Sequence, residues 1–263
     1  DITAAFRAGV GLFAFDSAAE IEKLARAAPR SRVFCRIFMT GEGADWPIGR
    51  KFGCEVDMAR DLQVRAQGLG LDPYGVSFHI GSQQRDLGQW DIAIGKTAML
   101  FSALNEAGIS LKMVNLGGGF PARYKTEAPS AERHATAIMN AVTRHFGNDM
   151  PSLLVEPGRF MVGDAGIIQS EVVLVSRKGY DDDVRWVYLD IGKFGGLIET
   201  MDEAIKYRVR TSRDAGPKSQ VIIAGPTCDE ADVLYKRAAY ELPIDLKAGD
   251  QVEFLAAGAY TSS

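Results

Sequence analysis

Met113-Val114-Asn115-Leu116-Gly117-Gly118-Gly119-Phe120-Pro121 passes from a short apolar run straight into three consecutive glycines. A short apolar run bounded by a turn reads as a strand buried on both faces. Glycines placed directly after it let backbone N–H groups close on an anion such as phosphate, because no Cβ stands in the way. The spacing is not the G-x-G-x-x-G of dinucleotide-binding folds, and on its own it fits a flexible turn equally well.

The same succession recurs on either side. Apolar runs over 10–15, 33–38, 75–80 and 153–155 each lead into a polar or glycine-rich turn: Asp16-Ser17, Met39-Thr40-Gly41, His79-Ile80-Gly81-Ser82 and Glu156-Pro157-Gly158-Arg159. Between them, segments over 18–27, 58–68, 89–107 and 131–146 repeat apolar residues at three and four, the helical period, with Ser17 placed to cap the first. Strand and helix in alternation predict a parallel α/β sheet. Unusual residues gathered at strand C-terminal ends match the active-site rim of a (β/α)8 TIM barrel, although a doubly wound sheet also binds at those ends. After about residue 165 the pattern changes to strands over 167–175, 184–189, 220–223 and 250–254 without long helices. The predicted organisation is a barrel domain over 1–165, bearing the cofactor, and a mainly β domain over 166–263. Lys178-Gly179-Tyr180-Asp181-Asp182-Asp183 is expected to be a solvated hairpin turn.

Composition narrows the function. The 263 residues are 46% hydrophobic and 24% charged, which suits a soluble globular chain, and the net charge of −4 with scattered Lys and Arg argues against a nucleic-acid partner. A small-molecule substrate is expected instead. Cys35, Cys54 and Cys228 form no C-x-x-C pair and are odd in number, so neither a metal site nor a disulfide framework is expected, and a reducing, cytoplasmic setting is. No apolar run approaches the roughly 20 residues that span a bilayer, so no membrane association is expected. The chain opens on Asp1-Ile2-Thr3-Ala4-Ala5-Phe6, a helical pattern without an initiator methionine, which is compatible with a fragment.

Four places carry chemistry. His79 ends an otherwise apolar strand, where a histidine is either a satisfied core residue or a functional one, and Gly81-Ser82 just beyond it offer N–H and hydroxyl groups to a phosphate. Glu156 and Arg159 share a turn fixed by Pro157 and Gly158. An arginine there suits a phosphate, and a glutamate can keep a pyridine nitrogen protonated; the plainer reading is a surface ion pair. Cys228 lies in the polar loop Gly225-Pro226-Thr227-Cys228-Asp229-Glu230-Ala231-Asp232, where neighbouring carboxylates favour the protonated thiol and hence a proton donor over a thiolate nucleophile. Asp229 and Asp232 suit an ammonium-bearing substrate; alternatively they cap a helix over 231–239. His134 and His145 are placed on helix surfaces without a role, and Cys35 and Cys54 read as small hydrophobes.

Together, F-H-I-G-S at 78–82, N-L-G-G-G-F-P at 115–121, V-E-P-G-R at 155–159, G-P-T-C-D at 225–229 and G-A-Y-T at 258–261 resemble, in order, the motifs of the ornithine decarboxylase family of alanine-racemase-like, fold-type III enzymes that use pyridoxal 5'-phosphate. The resemblance implies that His79 stacks on the cofactor ring, Glu156 bonds its pyridine nitrogen, and Arg36 orders one face. It implies that Ser82, Gly119, Gly158, Arg159 and Tyr260 hold the phosphate, and that Cys228, supplied by the partner of a homodimer with shared sites, protonates Cα after CO2 leaves. Asp229 from the partner and an acid of the 192–203 segment, either Asp202 or Glu203 with Asp202 preferred, would bind the distal ammonium. Acids at that end disfavour diaminopimelate and favour ornithine, then lysine. The family's Schiff-base lysine, in a motif like P-x-Y-A-V-K-x-N, is absent, and Lys51 matches a different lysine. The resemblance therefore places the linking lysine and the N-terminal barrel strands outside this chain, which by itself is expected not to turn over. A catalytically inactive homologue acting as a binding protein is the rival reading; retention of Glu156, Arg159, Cys228 and Asp229 speaks against it.

Overall fold

The computed structural model describes residues 1–46 and 48–261, and the chain divides into two units: Asp1–Pro121 with Pro129–Pro157, and Ala122–Ala128 with the chain from Gly158 on. The first holds α1 (Ile2–Arg7), β1 (Leu12–Phe15), α2 (Ala18–Ala27), β2 (Arg32–Arg36), β3 (Ala44–Trp46), α3 (Val56–Gly68), β4 (Asp72–Ser77), β5 (Ser82–Gln84), α4 (Gly88–Glu106), β6 (Met113–Asn115), α5 (Ala131–Phe146) and β7 (Ser152–Leu154). Five of the strands form one parallel sheet in the order β1-β2-β4-β6-β7. The alternation of apolar runs with helical-period segments thus produced the parallel α/β arrangement it predicted. β3 and β5 form a separate antiparallel pair that no sequence signal announced.

Burial explains the strand composition. Val33, Cys35, Val76 and Val114 are fully enclosed, with Ile21 and Leu24 of α2, Ile94 and Leu100 of α4 and Ile138 of α5 packed in the same core. Each such side chain contributes about 1.5–3 kcal/mol through burial. Two helices, α2 and α5, start where a side chain satisfies a first-turn N–H: Ser17 Oγ accepts from Glu20 N–H at 3.4 Å, and Ser130 Oγ accepts from Arg133 N–H at 3.4 Å. One expectation fails here. His134 is completely buried on α5, accepting a 2.9 Å hydrogen bond at Nδ1 from the Trp90 indole, because it shares the stripe that buries Ile138, Ala141 and Val142.

The second unit is all but entirely β. After a short helix α6 (Gly158–Val162) come β8 (Ile167–Ser176), β9 (Arg185–Leu189), β10 (Arg208–Thr211), β11 (Lys218–Ala224), β12 (Val233–Pro243) and β13 (Gln251–Leu255). They form a six-stranded sheet, β10-β13-β8-β9-β11-β12, antiparallel except for the β9–β11 pair. Val172, Val187, Tyr207, Ile223, Tyr235 and Phe254 centre its core. The 178–183 stretch is the β8–β9 hairpin turn, held by the Asp182 carboxylate accepting from Lys178 and Gly179 N–H groups. The helix expected over 231–239 does not form: that sequence enters β12, which pairs with β11 through a register shift at which Ala239 takes a φ of 47°. Asp229 therefore caps no helix; its Oδ1 accepts from Ala231 N–H at 2.9 Å in the turn before the strand. No helix among the described residues is long and apolar enough to cross a membrane.

Candidate functional site

The parallel sheet delivers its functional side chains at strand C-terminal ends. Past β6 and β7, backbone pairing continues through Leu116 N–H to Leu154 O at 2.8 Å and Glu156 N–H to Gly117 O at 2.9 Å. Asn115 joins the two turns: its Oδ1 accepts from Gly117 N–H at 2.9 Å and its Nδ2 donates to Glu156 Oε1 at 2.6 Å. The Glu156 carboxylate is thereby aimed from an exposed position, and Asn115 is a site residue whose role went unread inside N-L-G-G-G-F-P. Gly117 has φ 68°, and a Cβ there would lie 2.1 Å from Phe78 O. At Gly118 a Cβ would lie 3.0 Å from Glu156 O and 3.1 Å from His79 Nε2. Absence of side chains lets the imidazole and the Glu156 turn approach this backbone closely.

His79 is half-buried and its ring is fixed, because Nδ1 accepts the Gly81 N–H at 3.0 Å. Burial lowers its pKa, the nearby Arg36 charge lowers it further, and Glu156 opposes both. A neutral ring that accepts at Nδ1 carries its proton on Nε2. Arg36, also half-buried, lies 5.4 Å from the centre of the Phe52 ring; burial lowers its pKa from the ordinary value against the pull of Glu156 and Asp16. Ser82 opens β5, half-buried, and Gly119 accepts the Gln84 N–H at 2.9 Å with its own φ at 108°.

The remaining phosphate candidates belong to the second unit. Gly158 opens α6, and Arg159 is buried, its Nη1 donating to Glu199 Oε2 at 2.8 Å and to the Tyr124 hydroxyl at 2.7 Å while Nη2 donates to Glu199 Oε1 at 2.5 Å. Burial would lower the arginine's pKa, but the Glu199 carboxylate and Tyr124 outweigh it and hold it above the ordinary value. The Tyr260 ring lies 4.7 Å from the guanidinium carbon, with φ 58° and 56% exposure. Glu199 and Tyr124 went unread in the sequence, since nothing local marks an acid forty positions away as an arginine's partner.

The cysteine loop and the 192–203 segment meet within the second unit, in an open cleft of about 590 Å3 lined by Cys228, Asp229, Asp202, Glu203, Trp186 and Tyr188. Cys228 and Asp229 are exposed. Glu203 is 8% exposed, and its Oε1 accepts from Lys236 and Arg237 N–H groups at 2.8 and 2.7 Å. Burial raises the Glu203 pKa, but these N–H groups and the Arg237 charge outweigh it and leave it below the ordinary carboxylate value. Asp202 is exposed with φ 53°. Asp232, read from the sequence as a substrate ligand, is instead enclosed at 2% exposure.

Residues 1–163 match the pyridoxal-binding domain model of the pyridoxal-dependent decarboxylases. The chain belongs to this family. It is 33% identical over 252 residues to a lysine/ornithine decarboxylase of Selenomonas ruminantium, covering 95% of this chain and 62% of that protein. To the mouse ornithine decarboxylase it is 30% identical over 269 residues, covering 96% of this chain and 57% of the other. The crystal structure of a Paramecium bursaria Chlorella virus arginine decarboxylase bound to agmatine superposes with a TM-score of 0.86 at 27% identity, over 99% of this chain and 69% of that one. The chain thus spans about three fifths of the length of the two relatives matched by sequence.

Proposed function

We propose that the protein decarboxylates a basic amino acid with pyridoxal 5'-phosphate, converting ornithine to putrescine in polyamine biosynthesis, with lysine the second substrate. The observation that carries this reading is the convergence of the oriented His79 ring, the Glu156 turn and the glycines past β6, so close that one Cβ at Gly118 would touch both. A flat heterocycle laid against that imidazole would find the Glu156 carboxylate available to its nitrogen. Ser82 and Gly119 would hold the phosphate; Arg159 is poorly placed for it, because its buried guanidinium already serves Glu199 and Tyr124. We read the five parallel strands as part of a (β/α)8 barrel, and the enzyme as a cytoplasmic homodimer whose partner supplies Cys228 and Asp229, in keeping with their exposure.

When bound, pyridoxal phosphate supplies a protonated ring that takes up the electron pair left as the substrate carboxylate departs as CO2. The chain's own residues orient and protonate. Asn115 fixes Glu156, whose negative charge favours the proton on the ring nitrogen. His79, neutral and fixed through Gly81, presents its ring face without adding charge. Cys228 donates its Sγ proton to Cα. Asp202 and Asp229 receive the distal ammonium, a role for which Glu203 is poorly placed because its carboxylate already serves two backbone N–H groups.

Ornithine and lysine differ by one methylene, worth about 1–3 kcal/mol in a pocket, so the test is a side-by-side assay of CO2 release from ornithine, lysine, arginine and diaminopimelate by the complete gene product. Ornithine is expected to lead, lysine to follow, and diaminopimelate to be refused. Asp202→Asn should raise KM for ornithine more than it lowers kcat. Binding of the cofactor without CO2 release from any basic amino acid would remove the proposal and favour the inactive binding protein.

A further inference from the structure

We infer that Asp232 is a positioning residue that locks the Cys228 loop onto the start of the 192–203 segment, and that it is not a ligand for the substrate. The inference rests on the decarboxylase reading for what the loop does, and on the geometry for how it is held. The residue borders the cleft but is only 2% exposed, so its carboxylate offers an incoming ammonium little open surface. Its oxygens already serve two separate stretches of chain: Oδ1 accepts from Lys193 N–H at 2.8 Å, while Oδ2 accepts from Thr227 N–H at 3.2 Å and from the Thr227 hydroxyl at 2.8 Å. All three donors are neutral. A buried carboxylate is tolerable when N–H and O–H groups replace its water, and such charge-assisted bonds are about twice as strong as neutral ones.

The backbone around it closes the same neck. Gly225 N–H donates to Asp232 O at 2.8 Å and Asp232 N–H donates to Asp229 O at 2.9 Å, so the loop carrying Cys228 leaves and returns at one point. Two glycines reserve the space. A Cβ at Gly192 would stand 2.2 Å from Asp232 Oδ1, and one at Gly225 would stand 2.3 Å from Oδ2. Either would push the carboxylate off its donors. Thr227 directly precedes the proposed proton donor, and Gly192-Lys193 opens the segment that ends in Asp202 and Glu203. One side chain therefore ties the loop that carries the proton donor to the start of the same chain's substrate-selecting segment.

The cysteines give a readout independent of turnover, since Cys228 is exposed while Cys35 and Cys54 are buried. Alkylation by iodoacetamide, followed by peptide mass spectrometry, reports the Cys228 loop and checks global folding at the other two thiols. In the complete gene product Asp232→Asn should speed Cys228 labelling about tenfold, the effect expected from losing one charge-assisted bond, with Cys35 and Cys54 still protected. During turnover its CO2 output should exceed its diamine output, with KM for the amino acid unchanged. If Asp232→Asn exposes the buried thiols, Thr227→Val, which removes only the hydroxyl donor, and Gly225→Ala are judged by the same two criteria. Unchanged labelling together with a raised KM would overturn the inference and restore Asp232 as a substrate ligand; unchanged labelling with unchanged KM would overturn it outright. Faster labelling in a protein that decarboxylates no amino acid would sustain the clamp and overturn the decarboxylase reading.

Discussion

Glu199→Ala is expected to be among the most damaging single changes in the β unit. The Arg159 and Glu199 side chains are only 3% and 6% exposed and make two parallel hydrogen bonds at 2.8 and 2.5 Å. At about 4 Å and an effective dielectric constant of about 20, two unit charges attract by about 4 kcal/mol. Removing one partner forfeits that attraction and leaves the guanidinium buried without its carboxylate, which costs about 3–5 kcal/mol. For a unit of this size that corresponds to a fall in Tm of about 10 °C or more. Glu199→Gln should cost nearly as much, because its amide turns a donor toward a donor. The control is the double variant Arg159→Met with Glu199→Leu, which removes both charges and should be more stable than either single variant. Differential scanning calorimetry on the parent, Arg159→Met, Glu199→Leu and the double variant closes the cycle. Single variants within about 1 kcal/mol of the parent, or a double variant whose loss equals the sum of the singles, would refute the account of a mutually dependent buried pair.

Cys228→Ala should leave CO2 release measurable while putrescine yield falls behind it; matched CO2 and putrescine would remove Cys228 as the proton donor. Gly118→Ala places a methyl group 3.0–3.1 Å from Glu156 O and His79 Nε2, so an absorbance titration should show loss of pyridoxal phosphate binding with the circular dichroism retained. His79 and His134 both have pKa values lowered from 6.5, chiefly by burial. The unfolded chain then binds protons that the folded chain refuses, so stability should hold above pH 6.5 and fall as pH drops below it, levelling off once the lower folded values are passed. His134→Gln should make that acid limb shallower in urea unfolding; an unaltered slope would show that His134 titrates freely.

The five strands of the parallel sheet and the four long helices of the first unit were legible because period and punctuation agreed at each of them, down to Ser17 as a cap. β12 was not. Its Lys236-Arg237-Ala238-Ala239-Tyr240-Glu241-Leu242 is rich in helix formers, and only pairing with β11, with Leu234, Tyr235, Tyr240 and Leu242 turned into the core, makes it a strand. Tertiary pairing of this kind overrides local propensity. His134 was misplaced for the opposite reason: the spacing to Ile138, Ala141 and Val142 announced a buried stripe, and a polar residue type hid it. The site's motifs were readable where catalytic groups cluster in sequence, as in His79 to Ser82 and Glu156 to Arg159. Partners that act from a distance left no local trace: Glu199 for Arg159, Tyr124 beside it, and Lys193 N–H for Asp232.

The hydrogen bond from the Trp90 indole to His134 also gives the chain a built-in optical gauge. Trp90 is wholly enclosed in the α/β unit, next to an imidazole whose protonation would quench its emission, whereas Trp186 lies half-buried in β9 of the other unit, in a near-parallel stack with Tyr188. With Trp46 the only further indole in the sequence, replacing Trp46 and Trp186 by phenylalanine would leave a fluorophore that reads the integrity of the α/β unit alone. The complementary variant would read the β unit, so the order in which the two come apart can be followed in a cuvette without any added label.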